Sequence, residues 1–164
     1  MANKNRALLW LISLAYVAFG LVTAVIGVVI SRFETTYDVP LWVAAALPFA
    51  FYLAYGLGSI PFGLLMDRSG ARAVILLGML LMTLGCFLFY VSATWWLTIV
   101  MVFLIGVGVT AIQTAGNPVI RDLDAPERYS SNLTIIVGIG SLGYAISPVM
   151  VPFLELKGYS WQAV

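Results

Sequence analysis

The stretch Gly63-Leu-Leu-Met-Asp-Arg-Ser-Gly-Ala-Arg72 is a short charged run between two long apolar segments. Residues 39–66, which precede its charges, and residues 73–120, which follow them, contain no Lys, Arg, Asp or Glu. Charged side chains are costly inside hydrocarbon and are expected at its boundary. The stretch therefore predicts a tight turn at a water boundary, from which two membrane helices run antiparallel.

Five positions of this stretch form the pattern G-x-x-x-D-R-x-G-x-R. They are Gly63, Asp67, Arg68, Gly70 and Arg72. Gly70 can take the positive φ that a tight turn often needs, and Gly63 is expected to let two helix backbones approach closely. The pattern resembles the loop between the second and third helices of the major facilitator superfamily of transporters. The resemblance implies a gate at the inner face of the membrane, which also includes charged residues expected at the same depth: Arg121, Glu127 and Arg128.

The composition of the chain is that of a polytopic membrane protein. Of its 164 residues, 62% are hydrophobic and 9% are charged, whereas soluble domains carry about 25% charged residues. The chain has no His and one Cys, Cys86, so the commonest general base is missing and a disulfide within the chain is excluded. No basic cluster is long enough to follow a phosphate backbone. We therefore expect no enzyme activity, no cofactor, no metal and no nucleic-acid partner.

Five apolar segments are each about as long as a membrane-crossing helix requires. The predicted spans are residues 8–30, 41–66, 73–91, 97–120 and 133–153. We expect a loop at residues 31–40, and a lipid-facing position for the third span, which has few polar residues. The predicted fold class is all-α: a bundle of five membrane helices surrounded by a lipid bilayer.

The distribution of basic residues predicts the orientation of the spans. With the N-terminus inside, the inner segments hold Lys4, Arg6, Arg68, Arg72, Arg121 and Arg128, whereas the outer segments hold Arg32 and Lys157. An excess of Lys and Arg is typical of cytoplasmic loops. We therefore expect a multi-pass protein of the cell membrane, of a bacterial inner-membrane type, with a cytoplasmic N-terminus.

Polar residues of the spans recur at helical intervals and suggest a site. Gln113 and Asn117 lie one turn apart in the fourth span, and Tyr16 and Thr23 belong to a polar and small-residue stripe of the first. Phenols and amides both donate and accept hydrogen bonds, as a hydroxyl-rich solute requires. The candidate substrate-binding residues are Gln113, Asn117, Tyr16, Thr23, Tyr52 and Tyr55. The alternative for Gln113 and Asn117 is a hydrogen bond that only joins the fourth span to the first or second.

A second resemblance narrows the family. The run Gln113-Thr-Ala-Gly-Asn-Pro118 resembles the fourth helix of the fucose–galactose–glucose:proton symporter family, and the Gly140-Ser-Leu-Gly143 run is also similar. The resemblance implies a secondary active transporter of a sugar or similar small polar solute that works by alternating access. It also implies two six-helix halves, so we expect this chain to be an N-terminal part that ends before the sixth helix, with a missing C-terminal half as its partner.

The chain departs from that family at the positions of its buried acids. Without gaps, the acid of the first helix falls at Gly27, and that of the fourth falls at Gln113. All seven Asp and Glu residues lie at the ends of spans or in loops. We therefore expect no proton-carrying group in this part of the protein.

Two other functions stay open. An exporter of drugs or organic solutes would share the fold, although Gly140, Gly143 and Pro148 do not reproduce the fifth-helix glycine–proline pattern of antiporters. A membrane assembly or sensor protein without transport activity could also have this fold. An uptake assay would separate it from a transporter.

Overall fold

The computed structural model of the chain describes residues 2–122 and 126–163, with side chains at residues 10, 12–121 and 127–163. The basic residues Lys4 and Arg6, which contribute to the predicted orientation, lie outside the described side chains. The helices are α1 Ala2–Tyr37, α2 Leu41–Ala44, α3 Ala46–Ser69, α4 Ala71–Val91, α5 Trp95–Asp122 and α6 Tyr129–Leu156, with 3-10 turns at Pro126–Arg128 and Trp161–Ala163.

Within the described residues, five segments have the length and hydropathy needed to cross a membrane. They are Ile12–Tyr37, Leu41–Ser69, Ala71–Val91, Trp95–Arg121 and Tyr129–Leu156. In each segment apolar residues predominate, and a helix satisfies its own backbone hydrogen bonds, as a bilayer demands. The chain is thus an all-α, multi-pass membrane bundle, and α4 is the span with the smallest buried share.

The loop expected at residues 31–40 is mostly helix, and that prediction is wrong. The first helix continues through Arg32 and Glu34 to Tyr37. No Gly or Pro interrupts the run from Ser31 to Tyr37, so charge alone does not end the helix. It stops at Asp38, which has a φ of 49°, before Pro40 begins the next helical segment.

The helices form two groups that meet along α1. One group is the pair α1 and α6, and the other is the trio α3, α4 and α5, in which α5 packs against both of the others. A large apolar cluster connects α1 to the trio and includes Phe33, Phe51 and Val102. A smaller cluster connects α1, α5 and α6 through Ile12, Ile120 and Ile136.

The turn between α3 and α4 defines one end of the bundle, which we call the motif end. Gly70 ends α3 with φ 80° and ψ 156°, a conformation that is essentially restricted to glycine. The positive φ predicted for Gly70 is therefore confirmed. Gly63 differs, because a Cβ built on it meets no described atom within 4 Å. The prediction that Gly63 allows two helices to approach closely is therefore wrong among the described residues.

Close helix approaches occur at other glycines. A Cβ on Gly78 would lie 2.7 Å from the Gly108 carbonyl oxygen, and one on Gly106 would lie 2.7 Å from the Phe51 carbonyl oxygen. These glycines allow α5 to approach the backbones of α4 and α3, as small residues do between membrane helices. Gly63 takes no part in them, although Leu65 and Met66, nearer to the end of α3, pack against α4 and α5.

The opposite end of the bundle is held by polar contacts. The Arg32 guanidinium donates two hydrogen bonds to the Glu155 carboxylate, at 3.2 and 3.0 Å. The Tyr37 hydroxyl lies 3.2 Å from Thr98 Oγ1, and it accepts a hydrogen bond from Gln162 Nε2 at 3.2 Å. These contacts connect α1 to α6, to α5 and to the last 3-10 turn.

Candidate functional site

The structure places the fourth-span amides against tyrosines from two other helices. The Tyr16 hydroxyl of α1 donates a hydrogen bond to Asn117 Oδ1 of α5. The Tyr55 hydroxyl of α3 donates one to Gln113 Oε1 of α5, at 2.5 Å. Four of the six predicted binding residues thus form two phenol–amide pairs, one helical turn apart on α5.

The tyrosines of the two pairs differ in their exposure. Tyr16 is only 5% exposed and packs in the apolar cluster with Ile12, Ile120 and Ile136. Tyr55 is 37% exposed, and Gln113 is half-buried. Both amides are therefore open to a solute, since Asn117 is exposed and Gln113 is half-buried, whereas the Tyr16 ring is mainly a packing group that presents its hydroxyl to Asn117.

The amides keep donor capacity beyond these two bonds. In both pairs the amide oxygen is the acceptor, and an amide also carries an NH₂ group with two donors. In the interior of a membrane a polar group without a partner costs several kcal/mol, of order 2–7 by transfer estimates. A solute that offers hydroxyl oxygens to these NH₂ groups would satisfy them.

Thr23 and Tyr52 have weaker connections to these pairs. Thr23 Oγ1 donates to the Phe19 carbonyl oxygen of its own helix, at 2.8 Å, and it lies beside Tyr144 of α6. Tyr52 is 61% exposed and packs edge-on against its neighbour Phe51. Neither residue bonds to Gln113 or Asn117 in the described contacts, so the structure does not unite all six residues in one network.

Tyr144 belongs to this region and was not among the predicted binding residues. It packs edge to face against Phe19, its hydroxyl interacts with Thr23, and it has weaker electrostatic interactions with Tyr52 and Tyr55. The sequence signal was present, since Tyr144 is the one aromatic residue of the small-residue run from Gly138 to Ser147. The small residues of that run predict tight helix packing, and nothing in the local pattern shows that the Tyr144 side chain extends beyond the packed face.

The predicted gate residues lie together at the motif end. Asp67, Arg68 and Arg72 are exposed and flank the α3–α4 turn. Arg121 is exposed in the last turn of α5, and Glu127 and Arg128 are exposed in the 3-10 turn before α6. Their position at helix ends agrees with the water boundary expected for charged residues.

A separate apolar cavity of about 620 Å³ lies between α1, α4 and α5. Its lining includes Val22, Ile26, Cys86 and Phe89, and it contains none of the six predicted binding residues. Apolar walls of this kind cannot satisfy a polar solute. The phenol–amide region, and not this cavity, is the candidate binding site. Within the described part of the chain, no group of three or more His, Cys, Asp or Glu residues could hold a metal.

Comparison with known proteins identifies the class of protein that this bundle represents. Residues 10–164 match the Major Facilitator Superfamily, so the chain belongs to that superfamily of membrane transporters. It is 28% identical over 149 residues to a glucose/galactose transporter of Brucella abortus biovar 1 (strain 9-941), an alignment that covers 89% of this chain and 36% of the relative.

Two further relatives have related names. An L-fucose-proton symporter of Haemophilus influenzae is 28% identical over 136 residues, covering 81% of this chain and 32% of the relative. A putative glucose/galactose transporter of Helicobacter pylori (strain ATCC 700392 / 26695) is 25% identical over 150 residues, covering 90% and 37%. The chain thus spans about a third of the length of these relatives, which are named as transporters and not as enzymes.

Proposed function

We propose that the complete protein containing this chain is a secondary active transporter of a sugar or a similar small polar solute, and that it works by alternating access. The observation that carries the proposal is the Tyr55–Gln113 pair, a partly exposed phenol and amide within an otherwise apolar bundle. The related glucose/galactose and fucose transporters make a sugar the favoured solute class.

The proposed binding residues have different roles. Gln113 donates to a sugar hydroxyl through its NH₂ group, while Tyr55 holds its oxygen and so orients the amide. Asn117 shapes the site one turn away, oriented in the same manner by Tyr16. Thr23 and Tyr52 lie at the margin of the site.

This part of the protein supplies no group that carries a proton in the proposed mechanism. Gln113 and Gly27 occupy the two positions at which the related symporter family has buried acids. Gln113 does not titrate, and Gly27 has no side chain. A Cβ built on Gly27 meets no described atom within 4 Å. Any proton coupling would come from the C-terminal half that we propose as the partner of this chain. Substrate affinity should then have no pH dependence that originates in residues 1–164.

The test is Gln113→Ala and Gln113→Glu in the complete open reading frame, with sugar binding and thermal stability measured on the purified protein. Gln113→Ala should abolish binding while the protein still inserts and stays folded. Gln113→Glu should introduce a pH dependence of binding that the unsubstituted protein lacks. Gln162→Ala, which removes an amide at the opposite end of the bundle, is the control and should bind sugar normally.

The alternative interpretation of Gln113 gives a distinct result. If the amide only joins α5 to α3, Gln113→Ala should lower thermal stability, by an amount typical of hydrogen bonds between membrane helices, ~0.6–2 kcal/mol, and leave binding intact. That outcome would refute the proposed site.

We also propose that the charged residues of the motif end act as a gate at the cytoplasmic face, with the N-terminus cytoplasmic in a bacterial inner membrane. Exposed ion pairs contribute little to stability, about 0–1 kcal/mol each. A small bias between two conformations is still enough to slow a transport cycle, because populations change about tenfold per 1.4 kcal/mol.

Asp67→Asn should therefore lower the maximal transport rate and leave the affinity for substrate nearly unchanged, as measured by uptake into proteoliposomes. Asp38→Asn is a matched control, since Asp38 is an exposed acid at the opposite end and Asn tolerates its positive φ. A large loss of affinity at a normal maximal rate for Asp67→Asn would contradict the gate role.

A further inference from the structure

Tyr144 is an exposed aromatic residue next to the closely packed face of α6. Gly140, Gly143 and Ser147 of α6 are buried, whereas Tyr144 is 41% exposed. The helical interval of 3.6 residues places Tyr144 at the edge of the buried face, where a long side chain can reach beyond the contact. The Tyr144 ring therefore borders open space at the margin of the α1–α6 contact.

Three residues of α1 hold the Tyr144 ring in place. Phe19 packs against it edge to face, with ring centroids 6.0 Å apart at 84°. A Cβ on Gly20 would lie 3.0 Å from Tyr144 Cδ2, so the glycine leaves room for the ring. The hydroxyl interacts with Thr23. A ring supported in this way loses little conformational freedom when a ligand covers it.

The Tyr144 ring is linked to the candidate site through α1. Phe19, which packs against the Tyr144 ring, also packs edge to face against Tyr16, with ring centroids 6.5 Å apart. The Tyr16 hydroxyl bonds to Asn117, one helical turn from Gln113 on α5. Tyr144 also interacts electrostatically with Tyr55, the partner of Gln113, so it borders the region of the two phenol–amide pairs.

We propose that Tyr144 is a further substrate-binding residue, whose ring covers the C–H face of a hexopyranose while Gln113 binds the hydroxyls of the sugar. The inference rests on the proposed function and narrows its substrate class to sugars that present a ring. A closed pyranose has a rigid face of C–H groups that an aromatic ring can cover, and aromatic rings supply large apolar surfaces of this shape. An open-chain polyol has the same polar groups but no such fixed face.

The substitutions Tyr144→Phe and Tyr144→Leu in the complete protein test this proposal, with D-galactose and the open-chain galactitol as probes. Tyr144→Phe keeps the ring and should bind D-galactose within about threefold of the unsubstituted protein. Tyr144→Leu removes the ring and should weaken D-galactose binding by about tenfold or more, a factor that corresponds to the contribution of one aromatic contact. Tyr90→Leu is the control, since Tyr90 is a 54% exposed tyrosine on α4 outside this region.

Two results would overturn the inference. One is a Tyr144→Leu variant that binds D-galactose as well as the unsubstituted protein; the other is a Tyr144→Phe variant that loses binding as severely as Tyr144→Leu. If Tyr144→Leu does not insert into the membrane, the affinities of the unsubstituted protein for D-galactose and galactitol test the inference. Equal affinities for the two would contradict a residue that covers the sugar ring.

The failure of the proposed function is distinguishable from the failure of this inference. A complete protein that binds none of D-galactose, D-glucose or L-fucose refutes the sugar transporter. A protein that binds one of these sugars and is insensitive to Tyr144→Leu keeps the proposed function and loses only the role of Tyr144.

Discussion

The first helix packs extensively against α6 and touches α5 at fewer points, and the two contacts differ in kind. Against α6 it meets backbone with backbone: a Cβ on Gly143 would overlap the Val17 carbonyl oxygen and lie 2.6 Å from the Leu21 amide nitrogen. Against α5 it meets side chain with side chain, and a Cβ on Gly116 would lie 3.9 Å from the Tyr16 ring, an ordinary contact distance.

The backbone contact between α1 and α6 should be rigid, whereas the side-chain contact between α1 and α5 should be adaptable. Packed backbones cannot slide past one another without losing many contacts at once, so we expect α1 and α6 to move as one unit. The polar links between α1 and α5, through Tyr16 and Tyr37, depend on side-chain hydrogen bonds that can rearrange. The Tyr16–Asn117 pair of the candidate site spans the α1–α5 contact, and under the proposed function a solute would exchange hydrogen bonds there.

Gly143→Ala should break the rigid contact and have the largest effect on stability. Overpacking a tight contact costs about 1–3 kcal/mol, and here the added methyl group meets backbone that no rotamer change can remove. Helix propensity favours alanine over glycine by about 1 kcal/mol, which offsets only part of that cost. Because the methyl group would meet three backbone atoms within 3.0 Å, the cost should lie at the upper end of that range, about 3 kcal/mol. We therefore expect a net loss of about 2 kcal/mol, seen as a clear fall in the thermal midpoint of the purified protein.

Gly138→Ala is the control for that substitution. Gly138 lies on the same helix, and its built Cβ meets no described atom within 4 Å. Only the helix-propensity gain should remain, so the thermal midpoint should stay or rise. Equal midpoints for the two alanine variants would show that α1 and α6 are not held by this contact.

Tyr37→Phe should weaken the adaptable contact at the opposite end by a smaller amount. The substitution removes the hydroxyl that links α1 to Thr98 and Gln162, whereas Thr98 keeps a 2.9 Å hydrogen bond to Ser92 and Gln162 keeps one to the Ser92 carbonyl oxygen. A neutral hydrogen bond contributes about 0.5–1.5 kcal/mol. A loss of about 1 kcal/mol in unfolding measurements would agree with this value, and a loss as large as that of Gly143→Ala would contradict the comparison.

Ser147→Ala should have the smallest effect, with the opposite sign. Ser147 shares the buried face of α6 with Gly140 and Gly143, and its Oγ has no hydrogen-bond partner among the residues that the structure describes. Removing a buried unpaired hydroxyl should stabilise the protein by about 0.5 kcal/mol, since polar groups also find partners in the unfolded state within a membrane.

Ser141→Ala on the same helix separates this gain from helix propensity, because the Ser141 hydroxyl is exposed and donates to the Val137 carbonyl oxygen at 3.0 Å. Its thermal midpoint should rise less than that of Ser147→Ala. A fall for Ser147→Ala would mean that the hydroxyl has a partner in the membrane.

Much of the fold could be predicted from local features of the sequence. The long uncharged runs predict membrane helices whatever their neighbours, because the bilayer imposes the same requirement on every segment. The turn at Gly70 was predictable for a local reason as well, since a backbone with positive φ favours glycine. The loop predicted at residues 31–40 is mostly helix, because charged residues near a membrane surface do not by themselves interrupt a helix.

The tertiary structure decided which glycines and which polar residues meet. Gly63 and Gly143 look alike in the sequence, yet only Gly143 lies against the backbone of another helix. Helical spacing placed Gln113 and Asn117 on one face, but their separate partners, Tyr55 and Tyr16, come from helices far apart in the chain. Hydropathy and turn conformation depend on short stretches of sequence and can be predicted from them. Contacts between helices depend on the packing of the whole bundle, so only the tertiary structure shows them.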